Sequence, residues 1–590
     1  MKSIPPVTAS AASLLPSRVH AWPATARLLA LCAFGSAVIL SSGSAAELSF
    51  AYESNVRIPM RDGTKLSANI FRPKDDLRHP VLLMRSPYGK PDEKFGDARK
   101  HTAAGYVMVV QDCRGKGQSE GVWDPFAFDT HDGFDTQEWI GAQSWCNGEI
   151  GTFGGSYVGW TQWASAANAS RFLKCMVPVV PFADVYEDIA YPGGAFQLAL
   201  LMGWGTGVGG VALSPDKLKE AFLHLPLRDF GDQFEKKVGY LNDWVAHSTR
   251  DDYWKSRGIQ RDYENVAVPV LNIGGWYDIF SKATLDQVAG VRAKSKNLMA
   301  RRNQFVVMGP WAHGVGAQKV GQLDFGTNAL LKIGDLQFQW FEYWLRHQPT
   351  GVENWPACRL FVMGENRWRD EQEWPLKRTV FTDYYLHSLG HANTASGDGA
   401  ISAQVPAEES SDTYVYDPAN PVPSHGGNNL VGASAGPMDQ SKIEERTDVL
   451  VYSTPPLKDP VEITGPVRLV LHATSTAPDT DFTAKLVDVH PDGKAYNLCE
   501  GIIRTSAPGS KAIEPGKPFS RDVDLWVTSN LFERGHRIRV EISSSNFPRY
   551  DRNPNTGKPF ASDSELTRAT QTLHHSGDRA SRLVLPVIPR

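Results

Sequence analysis

The sequence is poor in cysteine, with six in 590 residues. Cys32 lies near the N-terminus; Cys113, Cys146, Cys175, Cys358 and Cys499 stand far apart and show no CxxC spacing. That excludes a disulfide-stapled scaffold and a cysteine-based zinc site. An oxidising compartment would permit a Cys113–Cys146 bond, which the sequence leaves open. Excess charge is missing as well. The formal net charge is −4 and the pI about 6.5, so there is no broad basic footprint for nucleic acid. Internal repeats and coiled-coil heptads are absent too. What is present is enough apolar residues to build cores, 41% against 21% charged, and 17 tryptophans. The length suits roughly three or four folding units.

Residues 1–46 carry Lys2, Arg18 and Arg27 but no acidic residue. The apolar run Leu28–Leu40 follows, and then Ser44-Ala45-Ala46. A basic flank, a short apolar core and a small-residue end make up a secretory signal peptide, with cleavage expected before Glu47. The competing reading is a membrane helix, but about 13 apolar residues fall short of the roughly 20 needed to span a bilayer. Leu31 before Cys32 is too large for lipoprotein processing, so no lipid anchor is expected. The mature chain of 544 residues would carry a formal charge of −7 and be periplasmic or secreted, without membrane attachment.

Strand-like runs (Pro80–Met84, Tyr106–Gln111) then alternate with helix-like ones such as Asp132–Gln143, where Asp132 suits an N-cap. That alternation predicts a mostly parallel sheet covered on both faces. From 184 to 264 the texture is helical and loop-rich. Sheet texture returns at Val268–Ile273 and Gln304–Met308, and a helix is expected at Asp335–His347. After 356 short alternating strands dominate, among them Val461–Thr464, Val467–Ala473, Phe482–Val489 and His536–Ile542, as in a β-sandwich. The small polar segment 393–412 reads as a surface loop. The expected fold class is α/β plus all-β: a hydrolase-type α/β unit at 47–183 and 265–355, an inserted helical cap at 184–264, and a sandwich at 356–590.

A serine nucleophile needs a sharp strand-to-helix turn with glycines where the backbone crowds. The literal G-x-S-x-G pattern falls on Gly117–Gly121 and would select Ser119. No strand runs directly into it, and Pro125 bars a helix starting at the serine. A better candidate is Gly154-Gly155-Ser156-Tyr157-Val158-Gly159, between a short strand at 149–153 and a small-residue helix. Acid and base should follow in that order. Gly274-Gly275-Trp276-Tyr277-Asp278 and Gly309-Pro310-Trp311-Ala312-His313-Gly314 directly follow the two later strands, where open α/β sheets place their sites. A lone histidine is usually structural, but position and chain order single out His313. In that reading Ser156 attacks a carbonyl, His313 moves the proton and Asp278 orients the imidazole. Trp160, Trp276, Phe280 and Trp311 flank these positions and are candidates for an apolar substrate pocket or for core packing.

These motifs resemble the cocaine-esterase-like hydrolases of the X-Pro dipeptidyl-peptidase (S15) superfamily. The likeness also covers IPMRDGTKLSANIFRP at 58–73, MRSPYGK at 84–90, QDCRGKGQSEG at 111–121, DTDFTAKLVDVHPDGKAYNL at 479–498 and SSSNFPRYDRNPNTG at 543–557. It implies an α/β-hydrolase with an inserted cap and a C-terminal jelly roll. It also implies an oxyanion hole made by the Tyr88 hydroxyl, from Arg85-Ser86-Pro87-Tyr88, and the Tyr157 backbone N–H; without the family Tyr88 reads as a structural tyrosine in a proline turn. The α-amino-acid ester hydrolases of this family carry acids two and three positions after the aspartate, where this chain has Phe280 and Ser281.

The expectation is a serine esterase or acylase acting on small ester, amide or short peptide substrates, with no metal and no organic cofactor. Nucleic acid is not an expected partner, and homo-oligomer formation is left open. X-Pro dipeptidyl-peptidase and α-amino-acid ester hydrolase are the alternatives; the segment before Tyr52 is too short for the N-terminal helical domain of the long peptidases. A non-catalytic carbohydrate-binding or adhesion module is the remote alternative, which an intact elbow and its partners disfavour.

Overall fold

The computed structural model describes residues 49–259 and 262–590, so the expected signal peptide lies outside the described residues. Ten strands form the first sheet. They are β1 (Ala51–Pro59), β2 (Lys65–Arg72), β3 (His79–Ser86), β4 (Val107–Asp112), β5 (Cys146–Gly155), β6 (Leu173–Val179), β7 (Val270–Gly275), β8 (Gln304–Gly309), β9 (Cys358–Val362) and β10 (Arg367–Glu371). Their spatial order is β1-β2-β4-β3-β5-β6-β7-β8-β9-β10. From β4 to β9 every pairing is parallel; antiparallel strands close both edges. The central strands are continuous apolar runs such as VMVVQD because both of their faces are buried. Helices α1 (Gly96–Ala103), α2 (Asp129–Gly141), α3 (Tyr157–Ala166), α4 (Ser281–Lys294) and α5 (Ile333–Arg346) belong to this unit. Helix α2 starts one turn before the expected cap. Asp132 lies inside it because its buried carboxylate takes a two-point ion pair from Arg114 instead (3.0 and 2.6 Å).

Between β6 and β7 the chain builds the cap from short pieces, including turns at Val185–Ala190 and Ala199–Trp204 and helices at Pro215–Phe222 and Gly239–Ala246. Tyr186, Tyr191, Phe196, Trp244 and Trp254 are buried among them, in a cluster continuous with Tyr157, Trp160 and Phe280. The cap is therefore fixed to the sheet by apolar packing.

The C-terminal domain has eleven strands: β11 (Val380–His387), β12 (Ala400–Ser402), β13 (Asp412–Tyr416), β14 (Leu450–Ser453), β15 (Val461–Ser475), β16 (Asp481–Val489), β17 (Ala495–Arg504), β18 (Phe519–Phe532), β19 (Arg537–Ser543), β20 (Ala569–Leu573) and β21 (Arg582–Val587). All pairings but one, β12 with β14, are antiparallel. Three expectations change. The boundary at 356 falls before β9 and β10, which pair into the first sheet, so the second sheet begins at Val380. The runs 461–464 and 467–473 are one strand, since Pro466 shifts the register without ending it. Segment 393–412 is not wholly a surface loop: it holds β12 and ends in fully buried Asp412. One apolar core links the two sheets, with Trp276, Phe361 and Trp374 packed alongside Leu450, Leu469 and Ile542.

Candidate active site

Strand β5 runs into α3 through Ser156, which sits at φ 60° and ψ −127°. A non-glycine residue held there stores roughly 1–3 kcal/mol of strain. The glycines around it are sterically required. A Cβ on Gly154 would lie 2.2 Å from Val158 Cγ1, and one on Gly159 would lie 2.9 Å from the Val179 carbonyl oxygen. The Ser156 N–H donates to Val179 O (2.9 Å), fixing the turn to the neighbouring strand. Ser119, by contrast, donates its hydroxyl to Asp112 O (2.7 Å) and accepts from Ser67 N–H (2.8 Å). Its hydroxyl is part of the loop's own bonding.

Asp278 follows β7 and is fully buried. Its Oδ2 lies 2.5 Å from His313 Nδ1, and its Oδ1 accepts the Phe280 N–H (2.9 Å). His313 follows β8 with only 8% of its side chain exposed; its Nε2, on the far side of the ring from Asp278, has no hydrogen-bond partner. The ring meets Phe280 edge-on at 5.8 Å. Phe280 in turn lines a cleft of about 330 Å³ together with Ser156, Tyr157, Tyr88, Phe126, Phe182, Ile189, Trp204 and Leu430. Phe280 thus connects the His313–Asp278 pair to the cleft that Ser156 lines.

Tyr88 is 40% exposed in this cleft and accepts a hydrogen bond from Trp204 Nε1 (3.2 Å). Tyr157 is locked below it. Its hydroxyl donates to Asp129 Oδ2 (2.7 Å) and accepts the Phe126 N–H (2.9 Å), while Arg85 pairs with Asp129 at 3.1 Å. Burial, then the Asp129 charge, push the Tyr157 phenol well above its ordinary range, so it stays a neutral donor. Phe126, which meets Tyr157 and edges Trp160, is itself held at φ 71°.

Of the four flanking aromatics, only Phe280 lines the cleft. Trp160 is fully buried behind it, stacked on Phe182 (5.8 Å). Trp276 and Trp311 face away: their Nε1 groups donate to Phe361 O (2.7 Å) and Ala329 O (3.0 Å), and their rings pack on Trp374 and Trp368. Sequence reasoning missed Phe126, Phe182, Trp204 and Leu430. The aromatic-rich texture of the cap was the only signal for Trp204, and Leu430 comes from the C-terminal domain with none. It also missed Asn428, whose Nδ2 donates to Asp278 O (2.7 Å) and Trp276 O (3.0 Å) and so clamps the acid's loop from the second domain.

A larger hollow, about 660 Å³, lies between cap and sandwich. Its charged walls pair among themselves, Arg504 with Asp551 (2.9 Å) and Lys558 with Asp563 (3.2 Å). Ser156 lines the smaller cleft and not this hollow. The five described cysteines are buried free thiols, Cys113 and Cys146 in different clusters. No described helix is long and apolar enough to cross a membrane.

A parallel-cored sheet with a strained serine between strand and helix, beneath an inserted cap, defines the α/β-hydrolase class. Comparison narrows this. Residues 62–315 match the X-Pro dipeptidyl-peptidase (S15 family) and 350–584 the X-Pro dipeptidyl-peptidase C-terminal non-catalytic domain. A cocaine esterase from Rhodococcus sp. (strain MB1 Bresler) is 40% identical over 577 residues, covering 92% of this chain and 99% of the relative. An aminopeptidase from a marine sediment archaeon, Thaumarchaeota archaeon, superposes with a TM-score of 0.80 at 25% identity, covering 94% of this chain and 99% of that one. An α-amino acid ester hydrolase shares the fold at a TM-score of 0.77 and 24% identity, over 93% and 98%. The chain belongs to the S15 family of serine hydrolases and is an esterase-type enzyme.

Proposed function

We propose that this protein is an exported serine esterase or acylase that cleaves neutral, preferably aromatic, acyl esters or amides through an acyl-enzyme. The observation that carries the reading is the strained Ser156 opening into an aromatic cleft beside a buried His313–Asp278 pair. Ser156 Oγ attacks the carbonyl, His313 Nε2 takes its proton and returns it to the leaving group, and Asp278 holds the imidazole in the required tautomer. The developing oxyanion is met by the Tyr88 hydroxyl and the Tyr157 backbone N–H, each worth several kcal/mol at the transition state. Water then attacks the acyl-enzyme by the same route. The signal peptide features at 1–46 support export.

The acyl preference follows from what the cleft offers. Phe126, Phe182, Phe280, Trp204 and Leu430 line it, and no carboxylate is among the lining residues. The nearby cap acids are engaged elsewhere. Asp184 binds Arg250 at 2.5 Å and caps the turn at Tyr186, while Asp188 accepts the N–H groups of Ala183 and Asp184. An ammonium group entering here loses its hydration without gaining a carboxylate, and a cation–π contact returns only about 0.5–2 kcal/mol. Dipeptidyl-peptidase and α-amino ester hydrolase activity, which both need a free amine, are therefore disfavoured.

The test is kcat/KM for an aromatic ester lacking an α-amine against its free-amine counterpart at pH 6, on wild type, Ser156→Ala and Ser119→Ala. We expect the neutral ester to be preferred, Ser156→Ala to lose roughly 10⁴–10⁶-fold in kcat, and Ser119→Ala to stay active. Preference for the free amine would overturn the acyl assignment; an active Ser156→Ala enzyme would overturn the nucleophile.

A further inference from the structure

Far from the cleft in sequence, the C-terminal domain brings together a second set of chemically competent side chains. Strands β16 and β19 pair antiparallel with Asp488 opposite Ile538 and Val489 opposite Arg537. Continuing that register sets His490 across from His536. Asp488 and His490 are two residues apart, hence on one face of the strand. The result is a carboxylate and two imidazoles with one ligating atom of each within 4.8 Å of the others. His536 Nδ1 lies 2.8 Å from Asp488 Oδ1, His490 Nε2 lies 3.9 Å from Oδ2, and the two rings are 4.4 Å apart.

We propose that Asp488, His490 and His536 form a structural binding site for a divalent transition metal of the zinc class. Three observations carry it. The donor set is right: two imidazoles and a carboxylate suit Zn²⁺ and its neighbours, whereas Ca²⁺ and Mg²⁺ want oxygen ligands throughout. The surroundings order those ligands. Asn530 Nδ2 donates to Asp488 Oδ2 (3.3 Å), and the Tyr496 ring meets His490 edge-on at 4.9 Å. The site is also reachable: side-chain exposure rises from 7% at Asp488 through 14% at His536 to 30% at His490. Tetrahedral ligands about 2.0–2.1 Å from a zinc ion stand roughly 3.3 Å apart, so binding draws His490 inward and parts His536 Nδ1 from Asp488 Oδ1, releasing the proton between them.

The location suggests what the metal does. Asn530 forms a bridge to Met363, just past β9, so the site stands where the two sheets meet. A metal here would tie the β16–β19 pair to that seam, without touching the reacting atoms.

The test uses the full mature chain, stripped with EDTA and dialysed against ZnCl2, with bound zinc measured by mass spectrometry and melting followed in parallel. Wild type should hold one zinc equivalent and melt higher with it. His490→Phe, whose ring fits beside Tyr496, should bind at least roughly 100-fold more weakly, since losing even an outer partner of a ligand costs 10–100-fold. Its melting should be indifferent to zinc. Replacing zinc by Co²⁺ should give a visible d–d absorption that the variant lacks, and His490→Gln should repeat the result if the phenylalanine perturbs folding. Ester hydrolysis should be the same with and without zinc. Absence of a zinc equivalent in wild type, or equal binding by both His490 variants, would leave only an ion pair between His536 and Asp488 and overturn the proposal.

Discussion

Among the described residues two aspartate–histidine pairs are buried, and their surroundings differ. In the hydrolase unit Asp278 meets His313 at 2.5 Å; in the C-terminal domain Asp412 meets His575 Nε2 at 2.6 Å, and both aspartates are fully buried. Contact geometry does not separate them. Surroundings do. Asp412 also accepts from Tyr452 (2.7 Å), Ser388 (2.8 Å) and the Ala392 N–H (2.8 Å), and His575 is itself fully buried. Burial would raise the Asp412 pKa, but the hydrogen bonds from His575, Ala392, Tyr452 and Ser388 outweigh it and hold the carboxylate below its ordinary range. That pair is a cross-link joining β11, β13, β14 and the segment after β20. The second ring nitrogen has no hydrogen-bond partner in either pair, but His313 packs on Phe280, which lines the cleft that holds the strained Ser156. A histidine–carboxylate pair becomes a base only where a substrate and a nucleophile can reach the second nitrogen.

This contrast is broken most sharply by exchanging each histidine for glutamine. His313→Gln should lose roughly 10⁴–10⁶-fold in kcat at an unchanged melting temperature. His575→Gln should lower the melting temperature, because breaking a buried pair costs about 3–5 kcal/mol, while its folded fraction keeps the wild-type kcat. Steady-state kinetics beside calorimetry reads both. Next in size, Tyr88→Phe should lower kcat by about 10²–10³-fold with little change in KM, the effect of losing one oxyanion donor; an unchanged kcat would return Tyr88 to a packing role. The smallest effect should come from Asn428→Ala. It unpairs the Trp276 carbonyl at about 1–3 kcal/mol and leaves the Asp278 carbonyl with the Ser281 N–H alone (3.1 Å), so melting should fall and kcat drop several-fold as the Asp278 loop loosens. A variant with unaltered melting would show that the second domain does not brace the acid.

Much of the site was legible because it is local. The elbow, Asp278 and His313 each sit a few residues past a strand, so strand ends and chain order were enough to nominate them. Tyr88 became visible only through family resemblance, since a tyrosine in a proline turn carries no signal of its own. Trp276 and Trp311 misled for a simple reason: nearness in sequence to a candidate catalytic position does not fix which way a ring points, and both point away from the cleft, toward the Phe361 and Ala329 carbonyls. Phe126, Leu430 and Asn428 were invisible because they reach the cleft or its loop from distant segments, through contacts that only the assembled fold creates. The fold followed the same rule. Apolar strand runs and the change of texture revealed the two sheets, but β9 and β10 look like sandwich strands in sequence. Only their pairing next to β8 assigns them to the first sheet.

The central claim is that His313–Asp278, and not the second pair, activates Ser156. Labelling with a fluorophosphonate, followed by peptide mapping, tests it directly on wild type, His313→Gln and His575→Gln. The account predicts a label on Ser156 in wild type and in folded His575→Gln, and at most trace labelling in His313→Gln. A label on Ser119, or full labelling of Ser156 in the absence of His313, would contradict it.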